Sequence, residues 1–214
     1  MKKELISNRL FCILSGISGI AGVLMLIVSF NINPGPPPGA TDEQLISFGH
    51  QYYSSILWGA WLQAVGPFFI VLFAIALITQ AGAARQFSGM LTLFGAGTLM
   101  TVSLIEITFY IAVLFKDPPL SHLIGLNLIY SVQHLYFIIA APALFIPLGF
   151  VILCSDLIHR LFGWTAIGIG LSFALLGILF LFQLALPMLV TAFAGIQVFW
   201  WLSASISLMM RSGK

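Results

Sequence analysis

Charge is what this chain has least of. Of 214 residues only 7% are Asp, Glu, Lys or Arg, while 60% are hydrophobic and the mean hydropathy is +1.10. Soluble domains carry roughly 25% charged residues. Polar surface cannot cover a chain this apolar, so most of its outward surface must face lipid. The net charge of +2 forms no basic stripe, and no glycine-rich loop precedes a lysine, which excludes nucleic-acid and phosphate-loop functions. Cysteine is also scarce. Cys12 and Cys154 belong to no C-x-x-C pair and read as small hydrophobes. No Ser/His/Asp arrangement, no H-E-x-x-H and no paired intramembrane carboxylates occur, so enzymatic chemistry is not expected.

What the chain has in quantity is long apolar runs. Six reach the roughly 20 residues needed to cross a hydrocarbon core of about 30 Å. They fall at about 10–30, 55–80, 87–115, 123–154, 161–182 and 187–210. Backbone polar groups in lipid must be paired within their own segment, and the two-residue alternation of a barrel is missing, so all six are predicted as helices. The fold class is therefore all-α: a polytopic, six-helix membrane bundle forming one domain over 1–214. The first run, after Met1-Lys2-Lys3, ends without a small-x-small cleavage site and reads as a retained span rather than a signal peptide. Pro142 and Pro147 predict a kink in the long fourth span.

With the N-terminus inside, Lys2, Lys3, Arg9, Arg85, Arg160, Arg211 and Lys214 share the cytoplasmic side and only Lys116 lies outside. That asymmetry places both termini in the cytoplasm. The longest outer loop, 31–54, holds Asn33-Pro34-Gly35-Pro36-Pro37-Pro38-Gly39, an extended run. Thr41 beyond it, followed by Leu45 and Ile46, predicts a short capped surface helix. Tyr52, Tyr53, Trp58 and Trp61 suit the outer headgroup belt. Small residues at Ser15, Gly16, Ser18, Gly19, Ala21 and Gly22, and at Ala166, Gly170 and Ala174, predict faces of close helix packing, with a homodimer seam as one use. Of Trp200 and Trp201, one is expected inside the bundle and the other against lipid.

Two ionisable residues lie deep in apolar surroundings. Glu106 stands 13 residues before Pro119 and His134 stands 15 after it, on either side of the polar turn Lys116–His122. At about 1.5 Å per residue, a helical hairpin brings both to nearly one depth. Ser103 and Tyr110 lie one turn from Glu106, and Asn127, Tyr130 and His134 share a face of the next span. Gln63 and Gln197 count to the same stratum. Ionisable groups inside a membrane are costly, which makes this layer the candidate site.

Several roles fit it. A Glu–His pair can hold one proton between its members, which suits proton- or solute-coupled transport. His134 could ligate a haem or another ring cofactor. The layer could hold a lipid or pigment, or serve as hydrogen-bonded glue in an accessory subunit of a larger membrane complex. One His and one carboxylate are too few for a closed zinc site. In the outer loops, His50 and His122, with Asp42, Glu43 and Asp117, are the remaining metal candidates, at spacings that match no ligand motif.

Three stretches carry a resemblance: Gly59-Ala60-Trp61-Leu62-Gln63, His134-Leu135-Tyr136-Phe137-Ile138-Ile139, and Leu157-Ile158-His159-Arg160-Leu161-Phe162-Gly163-Trp164. Together with the spacing of the spans they resemble a family of short six-span bacterial membrane proteins of uncharacterised function. Where that family has Pro-Arg-Trp at the start of the fifth span, this chain has His159-Arg160-Leu161. The resemblance implies a bacterial inner membrane and supplies no activity.

Overall fold

The computed structural model describes residues 2–37, 39–114, 121–182 and 187–211. All regular structure among them is helical: α1 (Lys2–Ile32), α2 (Asp42–Gln51), α3 (Tyr53–Gln80), α4 (Phe87–Leu114), α5 (His122–Leu135), a π turn (Tyr136–Ala140), α6 (Ala141–Leu153), α7 (Arg160–Leu181) and α8 (Pro187–Arg211). Six stretches are long and apolar enough to cross a bilayer: Arg9–Ile32, Tyr53–Gln80, Phe87–Leu114, His122–Leu153, Arg160–Leu181 and Met188–Arg211. The protein is a multi-pass, all-α membrane protein, with the predicted spans within a few residues of the observed ones. The turn at Lys116-Asp117 lies outside the described residues.

Each span packs on the one before it, and α8 returns to α1, so the six rods close into a ring in chain order. Arg9, Arg85, Arg160 and Arg211 mark one end of the ring, called here the basic end. The opposite end, carrying α2, is the loop end. The glycines set how closely the rods approach. A Cβ on Gly22 would lie 2.7 Å from the Gly66 carbonyl oxygen, and one on Gly95 would lie 2.2 Å from that of Ala143. The small faces predicted on α1 and α7 are thus used within the bundle: Gly16 and Gly19 meet Met209 and Ser205 of α8, and Gly170 meets Ile146 of α6. Ser18, Ala21 and Ala174 of those faces stay half-buried.

The basic half of the ring is filled by a dry aromatic core. Trp201 packs against Phe73, Phe145 and Trp200, with ring centroids 4.8–5.9 Å apart. Both tryptophans are buried, at 4% and 1% exposure, so neither faces lipid as expected from their adjacency. The Trp200 indole N–H reaches the Phe162 carbonyl and the Thr165 hydroxyl, both at 3.0 Å, whereas the Trp201 N–H has no partner. Adjacent helical residues differ by about 100°, and α8 lies in an inward corner between α1 and α7, so both rings find protein.

At the loop end, α2 forms as predicted. Thr41 accepts from the Gln44 N–H, and the Gln44 side chain accepts from the Thr41 N–H at 2.9 Å, a complete capping box. Leu45 is buried, and Asp42 Oδ1 accepts the Leu123 N–H at 2.8 Å, which ties α2 to the first turn of α5. The break in the fourth span comes just before Pro142. Ala141 N–H bonds Tyr136 O, five residues back. Pro142 has no N–H to continue an α-helical ladder, and the wider turn absorbs the interruption.

Candidate functional site

The buried acidic group within the spans is Glu106, 6% exposed on the inward face of α4. It lies about 12 Å from the loop end of its helix. The Gln133 Nε2–H donates to Glu106 Oε1 at 2.7 Å. Gln63 of α3 brings a second carboxamide within hydrogen-bonding reach of the same group. One turn toward the loop end, Tyr110 neighbours the carboxyl, and its hydroxyl pairs with Asn33 at the end of α1. Gln133 of α5 and Gln63 of α3 thus meet the carboxyl group of α4, and Asn33 at the end of α1 meets the neighbouring Tyr110.

His134 is not part of that contact. Its ring packs on Phe180 of α7, with centroids 4.8 Å apart, so the expected Glu–His pair does not form. The depth argument holds, because Gln133, the residue beside His134, makes the bond. The rotation differs by one position, about 100° of helix. Asn127 and Tyr130, predicted on the same face as His134, are exposed, and the Ser131 hydroxyl donates to the Asn127 backbone carbonyl within the same helix. Ser103 is buried one turn from Glu106 on the basic side.

Gln197 joins a second contact of the layer. The Tyr136 hydroxyl donates to Gln197 Oε1 at 2.5 Å, linking the π turn to α8. Around this bond stand Phe137, Phe173, Phe180 and Phe193, in ring contact at 5.3–6.3 Å. Tyr136 itself packs edge-on to Phe137 and Phe173. The inward polar residues Gln63, Tyr110, Gln133, His134, Tyr136 and Gln197 are all half-buried, unlike the sealed core of the basic half. α7 has 22 residues against 28 in α4 and 32 in the fourth span, and it ends level with His134. The loop-end arm of α5 consequently rises beyond its neighbour.

Sequence reasoning missed Gln133 and Tyr136. The available signal was that both are polar residues in the same apolar span, three apart and hence on one face, at the depth already assigned to Glu106. No group of three or more His, Cys, Asp or Glu side chains able to hold a metal occurs among the described residues. Asp42, one of the outer-loop metal candidates, instead serves as the cap on α5. Neither a family model, nor a curated protein, nor a solved structure matches this chain.

Proposed function

We propose that the protein is a non-enzymatic membrane protein that binds a small amphipathic ligand in the loop-end polar layer. One observation carries this reading: a buried carboxyl group at membrane depth is met only by neutral, rotatable partners, Gln133 and Gln63, with Tyr110 beside it. Side chains that merely pin helices need one bond each. Here groups from several spans converge, half-buried, next to an aromatic wall of Phe137, Phe173 and Phe180. Apolar walls with a few convergent polar groups are the usual make-up of a small-molecule site. The basic residues favour a cytoplasmic basic end, which has the layer open toward the opposite face of a bacterial inner membrane.

A proton- or solute-coupled transporter is the competing reading. It needs a path from the layer to the basic end, and there Phe73, Phe145, Trp200 and Trp201 fill the axis of the ring. A ring cofactor on His134 is less favoured, since that imidazole already packs on Phe180. Native mass spectrometry on protein taken directly from its own membrane into lipid nanodiscs tests the binding reading. A small-molecule adduct should accompany the wild type and be lost on combining Gln133→Leu with Gln197→Leu. A wild-type spectrum with no adduct beyond bulk lipid would count against it.

A further inference from the structure

Every lysine and arginine of the chain stands at or beyond the ends of the spans, at positions 2, 3, 9, 85, 116, 160, 211 and 214. Only His134 could bring positive charge to the layer, and it is turned to Phe180. Glu106 therefore has no cationic partner among the described residues. Its partners are neutral amides instead: Gln133 directs an N–H at Oε1, and Gln63 offers a second carboxamide. A carboxylate accepts about four hydrogen bonds, so these two leave acceptor directions free. Neutral amides can orient an ionised carboxylate but cannot cancel its charge, and burying an uncancelled charge in hydrocarbon is costly, so ionisation here calls for a cation.

A multivalent metal does not match this donor set. Calcium takes six to eight oxygens, and no cluster of further acidic side chains stands nearby. The neighbours are aromatic instead. Tyr110 stands one helical turn from the carboxyl, and Phe137 and Phe180 follow on the His134 side. Aromatic faces attract organic cations and pack their hydrocarbon. We infer that the ligand of this layer is a lipophilic organic cation whose ammonium group sits on Glu106. The inference rests on the binding reading above and adds the ligand's charge.

The probe is phenethylammonium, compared with 2-phenylethanol, a neutral molecule of similar size with a hydrogen-bond donor. Both are titrated calorimetrically against the full chain in nanodiscs. The ammonium should bind saturably at one site, at least tenfold tighter than the alcohol, and Glu106→Gln should weaken it at least tenfold. Equal binding of the two probes, both lost in Gln133→Leu, would overturn the cation inference and leave the binding reading standing. Binding of neither probe would overturn both. Because a Glu106 variant can fail to fold, the wild type supplies a second measurement. Dicyclohexylcarbodiimide labelling of Glu106, mapped by peptide mass, should be slowed by the ammonium and not by the alcohol. Labelling slowed equally by both probes, or by neither, would contradict the inference.

Discussion

The two halves of the ring are built from the same rods and solve opposite problems. In the basic half the axis is closed by Phe73, Phe145, Leu148, Trp201 and Leu208, each no more than 1% exposed. Polar groups there act as staples. Cys12 Sγ donates to Gln80 Oε1 at 2.9 Å, and Trp200 is fixed to α7. In the loop half Gln63, Gln133, Tyr136 and Gln197 are half-buried, and side chains bond side chains at Glu106–Gln133 and Tyr136–Gln197, although Ser29 still staples α1 to the Gly59 carbonyl. The difference teaches where rigidity and where adaptability lie. Close glycine contacts and interlocked indoles leave little room in the basic half, whereas the amides of Gln63, Gln133 and Gln197 in the loop half are only half-buried.

The largest expected effect tests the rigid half. In Gly95→Val the first added carbon alone would meet the Ala143 backbone at 2.2 Å. Overpacking of this kind should destabilise by about 3 kcal/mol, read as a drop in the detergent melting temperature; an unshifted melt would mean that α4 and α6 are not in close contact. Next comes the adaptable half. Glu106→Ala strands two carboxamides and should cost about 2 kcal/mol, whereas Glu106→Gln, which keeps a partner for Gln133, should stay near the wild type. Equal losses from the two changes would argue that the site is not adaptable. A smaller contrast lies between neighbours. Trp200→Phe gives up two hydrogen bonds and should lose about 1 kcal/mol, while Trp201→Phe removes a donor with no partner and should be neutral or stabilising. A reversed order would show that the Trp201 N–H has a partner in the membrane. Smallest is Tyr136→Phe, which deletes one interhelical bond to Gln197 and should cost about 0.6 kcal/mol. A loss several times larger would mean that this bond holds the layer together.

The number and ends of the rods were legible because hydropathy depends on composition alone. Depth was legible too. A fixed rise per residue carried Gln63, Glu106, His134 and Gln197 to one stratum without any knowledge of neighbours. Rotation was not, because the direction a residue faces is set by packing, and adjacent residues differ by about 100°. That is why Gln133 and not His134 meets Glu106, why Asn127 and Tyr130 look outward, and why Trp201 turned inward with Trp200. The capping box at Thr41 was legible because caps are local chemistry. The short reach of α7, beyond which the arm of α5 rises against α2 and α4 alone, follows from how the rods are staggered, and no single span encodes it.

The π turn at Tyr136–Ala140 bears on that rotation. Such a turn takes up about one residue more than an α-helical turn. Counting back from α6 along an unbroken α-helix would put His134 at the place that Gln133 holds, and an imidazole would face the acid instead of an amide. Five residues thus act as a selector between two side chains of different basicity, and a screw motion of a single position along this span would exchange one for the other.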